Sequence, residues 1–108
     1  MTIENNTLFG LPKHVINELS TVFSHYNAID HVIIYGSRAM GNYRPGSDID
    51  LCIDSDSLNL TQLLKIENQI DDLLIPWKVD LSLKNKIDNP NLLDHIHHIG
   101  VLFYSRPA

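Results

Sequence analysis

The chain has 108 residues, enough for one domain that buries roughly two-thirds of its unfolded-chain surface. A formal net charge of −5, from 13 acidic residues against 8 Lys and Arg, excludes the basic stripe of a domain that wraps long nucleic acid. The hydrophobic fraction of 44% and charged fraction of 19% are those of a globular protein, and no apolar run reaches the roughly 18 residues of a bilayer span.

From Met1 to Asn6 there is neither the basic start nor the apolar run of a signal peptide. Pro12 suits the first turn of a helix, and Val15, Ile16, Leu19, Val22 and Phe23 recur at helical spacing to about Tyr26. His31-Val32-Ile33-Ile34-Tyr35 is a β-branched run, apolar on both faces and closed by Gly36, as an interior strand requires. Ser37 to Met40 predicts a short helix, and Asn42-Tyr43-Arg44-Pro45-Gly46 a loop.

The next strand, about Ile49 to Ile53, alternates: Ile49, Leu51 and Ile53 face one way, and Asp48, Asp50, Cys52 and Asp54 the other. Cys52 is the single cysteine and is expected to be a buried, reduced thiol in a cytoplasmic protein. Asn59 and Gln62 read as a capping box, opening a helix that turns Leu63, Leu64, Ile66, Ile70, Leu73 and Leu74 inward. After Pro76, Trp77 to Leu83 alternates again, with Lys78, Asp80 and Ser82 on the polar side. Asn89-Pro90 predicts the cap and first position of a last helix through His98, Gly100 follows it, and Val101 to Tyr104 makes a final strand. The fold class expected is α+β: a mixed sheet flanked by helices, one domain over 1–108 with a core of about 12–104.

Gly36-Ser37, then ten intervening residues and Asp48-x-Asp50, is the chemically informative constellation. A glycine lets backbone approach phosphate closely, and a serine adds a hydroxyl and an N–H. Two carboxylates about 4 Å apart at an effective dielectric of 20 repel by on the order of 4 kcal/mol. A bound cation relieves that repulsion, and hard oxygen ligands favour Mg²⁺ or Mn²⁺ over zinc. Asp80, on the polar side of another strand, is the third carboxylate. Two ions held by Asp48, Asp50 and Asp80 could stabilise the attacking and leaving oxygens of an in-line displacement, with Asp80 the group to accept the attacking hydroxyl's proton.

Other candidates read more plainly as packing or surface. Asp54 and Asp56 are expected to be solvated. His95, His97 and His98 lie on one helix, but nothing completes a tetrahedral zinc site, so exposed histidines are expected. Trp77 reads as packing rather than base stacking, and Lys78 is the best placed of Arg44, Lys78 and Lys86 to touch phosphate.

Taken together, the Gly36-Ser37 turn, the Asp48-x-Asp50 doublet and the strand-borne Asp80 resemble the polymerase-β superfamily of nucleotidyltransferases. More narrowly, the chain is similar to the minimal nucleotidyltransferase (MNT) subgroup from about Pro12 to Tyr104. The resemblance implies a mixed-sheet domain that transfers a nucleoside monophosphate, AMP from ATP, to a hydroxyl with release of pyrophosphate. By position, Gly36 and Ser37 match the phosphate-gripping pair, Asp48, Asp50 and Asp80 the metal ligands, and Arg38 an arginine common after the serine, grouped here with the nucleotide-binding residues. Met40 departs from the basic residue of many relatives. The resemblance also implies an antitoxin that pairs with a helical HEPN-family toxin and adenylylates a toxin tyrosine. A small-molecule acceptor bound with a partner subunit, and neutralisation by contact alone, are the rival readings.

Overall fold

A computed structural model describes residues 7–107. The reading of Met1 to Asn6 therefore lies outside the described residues. A short hairpin opens the described chain, β1 (Thr7–Leu8) paired antiparallel with β2 (Leu11–Pro12). Its turn residues Phe9 and Gly10 have φ of 60° and 71°. Positive φ at both central positions is what a type I′ turn demands. Helix α1 (Lys13–Ser24) follows, then β3 (His31–Tyr35), the single-turn α2 (Gly36–Met40) and β4 (Ile49–Asp54). Helix α3 (Leu60–Asp71), β5 (Val79–Leu83), a 3₁₀ turn (Lys84–Lys86), α4 (Pro90–Ile99) and β6 (Val101–Ser105) complete the order.

The four longer strands form one sheet in the order β5-β4-β3-β6. Strand β3 runs antiparallel to both β4 and β6, whereas β4 and β5 are parallel, joined across α3. A mixed sheet flanked by helices is the expected α+β class.

Period-two alternation gives the sheet two different faces. Val32 and Ile34 of β3, Ile49, Leu51 and Ile53 of β4, and Leu81 and Leu83 of β5 pack on one face against Val15, Leu19, Val22 and Phe23 of α1 and Ile66 and Ile70 of α3. Burying each such side chain contributes roughly 1.5–3 kcal/mol, so this layer dominates the stability. The capping box opens α3 as predicted: Asn59 Oδ1 accepts from the Gln62 N–H, and Gln62 Oε1 from the Asn59 N–H.

The predicted inward stripe of α3 was too wide. Leu64 is 60% exposed and Leu74 86% exposed. Leu64 sits off the Leu63-Ile66-Ile70 face, and Leu74 lies beyond the helix end at Asp71 with φ of 56°, so helical spacing no longer governs it. Helix α1 starts one residue after Pro12, which is its N-cap, and ends at Ser24.

The opposite face carries Tyr35, Asp50 and Asp80 in one row across three strands, with Ile33, Cys52 and Ser82 in the next. Helix α4 covers the second row: Ile96 and Leu92 pack with Tyr35, Cys52, Ile33 and Ile87. Cys52 is buried as expected. Among the described residues, no helix is long and apolar enough to cross a membrane.

Candidate active site

The row Tyr35–Asp50–Asp80 reaches the edge of α4's cover at the end of the sheet where β3 finishes and β4 and β5 begin. Asp50 and Asp80 are direct register partners on parallel strands. Neighbouring strands lie about 4.8 Å apart, and paired residues project to the same face. Asp48 immediately precedes β4, and Gly36 and Ser37 immediately follow β3, so all five expected residues border one end of one face.

Gly36 has φ of 73°, in the left-handed region, and a Cβ there would run into the Asp50 carboxylate. Any other residue would meet both backbone strain and Asp50. The glycine thus brings the Gly-Ser bend and Asp50 into contact.

Among the described residues, no three His, Cys, Asp or Glu side chains come together in a group that could hold a metal ion. What the structure brings together is narrower than the expected triad: Asp50 and Asp80 side by side, with Asp48 near enough to act on Asp50 through its charge. Burial pushes the Asp50 carboxyl above its ordinary value; the charges of Asp80 and then Asp48 add to this, while His95 partly offsets it. Tyr35 is likewise raised by burial, an effect opposed by its contact with Ser82 Oγ at 3.5 Å and reinforced by Asp50 and Asp80. This is an electronegative corner that a cation would relieve.

His95 departs from expectation. It is half-buried, and its Nε2 accepts a hydrogen bond from the Gly36 N–H at 3.2 Å. Its ring meets Tyr35 edge-on, centroids 6.0 Å apart. The signal was present in α4, because His95 follows Leu92 by three residues and belongs to the stripe that includes Ile96. His97 and His98 are exposed, as expected.

Arg38 is not presented to the cleft. It is 2% exposed, and its guanidinium donates to Phe9 O (2.9 Å), Pro45 O (3.1 Å) and Ser47 O (3.0 and 3.1 Å). Burial lowers its basicity, an effect partly offset by Tyr43. Four of its five N–H groups are committed to carbonyls and the group is buried, so no open donor face is presented to phosphate. Trp77 packs against the core, and its indole N–H also donates to Pro45 O at 2.8 Å. Lys78, Arg44 and Lys86 are exposed. Asp54, expected to be solvated, is half-buried at the end of β4, 3.9 Å from both His31 and Lys84.

The family model described as "Polymerase beta, Nucleotidyltransferase" matches residues 17–108. The chain belongs to this nucleotidyltransferase family. A relative in Methanocaldococcus jannaschii that bears the name of a protein adenylyltransferase is 34% identical over 79 residues, covering 72% of this chain and 80% of that protein. A crystal structure of a toxin–antitoxin with AMP-PNP has a similar fold, with a TM-score of 0.67 and 19% identity over 88% of this chain and 74% of the other. So does the structure of the tri-AMPylated Shewanella oneidensis HEPN toxin in complex with MNT antitoxin, with a TM-score of 0.64 and 15% identity over 86% of this chain and 71% of the other. At those identities the likeness concerns the fold.

For a nucleotidyltransferase the donor chemistry of this corner fits a hard divalent cation. Its side chains are carboxylates, with neither thiolate nor a second histidine beside His95, and Asp50 carries an electrostatic penalty that a cation would remove. Asp50 and Asp80, side by side, are the residues that could hold it, with Asp48 adding its charge beside Asp50.

Proposed function

We propose that this protein is a Mg²⁺-dependent adenylyltransferase that moves AMP from ATP to a tyrosine hydroxyl of a helical HEPN-family partner, and so acts as a cytoplasmic antitoxin. The observation that carries the reading is the in-register pair Asp50–Asp80 beside the Gly36-Ser37 bend. The relative named for protein adenylyltransferase activity supports a protein acceptor. The fold neighbours that contain AMP-PNP or an AMPylated HEPN toxin support ATP and the partner.

In this reading Gly36 and Ser37 seat the triphosphate tail, with the glycine allowing close backbone approach. Asp48, Asp50 and Asp80 would hold Mg²⁺ (or Mn²⁺), which would supply charge neutralisation on the phosphates and lower the pKa of a nearby hydroxyl. The acceptor oxygen forms a bond to the α-phosphorus, the bond from that phosphorus to the bridging oxygen breaks, and pyrophosphate leaves. Asp80, exposed at the start of β5, accepts the proton from the attacking hydroxyl. Tyr35, the register partner of Asp50, packs with Ile96 and meets the His95 ring beside the carboxylates.

The test is to incubate the protein with ATP, Mg²⁺ and its co-purified helical partner, and to weigh the partner by mass spectrometry. The expected result is one or more added adenylyl groups on tyrosine, absent with Asp48→Ala/Asp50→Ala, together with loss of toxin neutralisation by that variant. Full neutralisation by the double variant would establish contact alone as the mechanism. Label that reaches only a small molecule would assign a different acceptor.

A further inference from the structure

We propose that Arg38 is a positioning residue for Asp48, the buried pin that fixes the loop from Tyr43 to Ser47 and thereby the point at which Asp48 enters the cleft. The inference rests on the reading of Asp48 as a cation ligand, and it gives Arg38 a different task from the nucleotide contact that its place beside Ser37 suggests.

Three independent segments converge on one guanidinium. Phe9 O comes from the hairpin turn, and Pro45 O and Ser47 O from the loop, while the Tyr43 and Trp77 rings lie 5.0 and 5.9 Å from Cζ. The arrangement is closed on its far side as well, because a Cβ on Gly10 would collide with the Tyr43 ring. None of the ion pairs among the described residues includes Arg38. Removing a cation from water without a counterion is costly, so the carbonyls and rings must offset that cost together. The same hydrogen bonds that offset this cost tie the hairpin turn and the loop to one point.

What it fixes is short and next to the chemistry. Ser47 O receives two of the guanidinium's hydrogen bonds, and Asp48 is the following residue. The loop itself holds only a turn, with the Ser47 N–H donating to Arg44 O at 3.0 Å and the Arg44 N–H to Ser47 Oγ at 2.9 Å. On the other side, the Ile49 N–H donates to Lys78 O at 2.9 Å. Asp48 therefore sits between a ladder bond at Ile49 and the Arg38 pin at Ser47. Lysine cannot replace the fork: its three donors radiate from one point and cannot span three carbonyls in a plane.

The test uses the full chain as Arg38→Lys, with Trp77→Phe as a milder variant that removes one donor to Pro45 O. Hydrogen exchange is read at the loop amides and at the β3 and β4 amides, and Mn²⁺ binding is measured by electron paramagnetic resonance with a non-hydrolysable ATP analogue present. For Arg38→Lys the expected result is faster exchange confined to the loop and Mn²⁺ affinity weakened on the order of tenfold, the scale on which outer-shell groups tune metal ligands. Trp77→Phe is expected to shift both readouts in the same direction by less. Loop exchange equal to wild type overturns the proposal, and so does a loosened loop with unchanged Mn²⁺ affinity. If analogue affinity falls while Mn²⁺ affinity and loop exchange hold, Arg38 is a nucleotide contact and the proposal is overturned. Wild-type protein that binds no Mn²⁺ would defeat both the cation-site reading and this proposal, whereas a site that binds Mn²⁺ without AMP transfer would defeat the function alone.

Discussion

Asp50→Asn separates what this corner does for the fold from what it does for chemistry. Asp50 and Asp80 are direct partners on adjacent strands, and Asp50 is the more buried of the two. At about 5 Å and an effective dielectric of 20 their repulsion is roughly 3 kcal/mol, but Asp80 is exposed and solvent screens the pair, leaving about 1 kcal/mol. Because the folded-state pKa of Asp50 lies above its ordinary 3.8, its ionisation destabilises the native state, and stability falls as pH rises through the folded value. The amide cannot ionise. At pH 7 Asp50→Asn should therefore melt higher than wild type, by about 4–8 °C for about 1 kcal/mol in a domain of this size. That gap should shrink as the pH falls and wild-type Asp50 takes up its proton. Saturating Mg²⁺ should raise the wild-type melting temperature more than that of the variant. Circular dichroism melts across pH, with and without Mg²⁺, read all three effects. A variant that melts at or below wild type at neutral pH, or a gap independent of pH, would refute the electrostatic reasoning.

The remaining predictions concern separate features. Gly36→Ala places a side chain at φ of 73° against Asp50, so it should lose about 1–3 kcal/mol in urea unfolding and lower AMP transfer by more than stability explains. Asn59→Ala removes the acceptor for the Gln62 N–H and should cost about 1 kcal/mol while leaving activity at permissive temperature unchanged. Cys52 is fully buried, and burial raises its thiol to about 11, so it should stay neutral at pH 8 and react with iodoacetamide only as fast as the protein unfolds. Prompt alkylation of the folded protein would contradict its place beneath α4.

Much of this site was legible because the strands announce themselves. The alternation of Ile49 to Ile53 and of Val79 to Leu83 separates an apolar face from a polar one, and the spacing from Gly36 to Asp48 marks the chemistry. The pairing of Asp50 with Asp80 was not legible in the same way, since it depends on the parallel register of β4 with β5, a tertiary fact. His95 could have been found from its i, i+3 relation to Leu92, but it was grouped with His97 and His98 as one exposed set on the last helix. Arg38 was hidden by its neighbour: an arginine after a phosphate-type serine suggests phosphate, and only burial shows that its donors face carbonyls. The Phe9-Gly10 hairpin escaped for a local reason, because a phenylalanine takes the left-handed position where asparagine or aspartate is the usual signal. Leu74 shows the opposite failure, in which helical periodicity was extended past the point where the backbone leaves the helix.

The most direct measurement of the central claim compares ATP labelled at the α-phosphate with ATP labelled at the γ-phosphate, each with Mg²⁺ and the co-purified partner. The α-label should become covalently attached to the acceptor while the γ-label leaves as pyrophosphate, and Asp50→Asn should abolish the transfer despite its higher melting temperature. Transfer of the γ-label, or α-label transfer undiminished in Asp50→Asn, would contradict a nucleotidyl transfer built on this carboxylate corner.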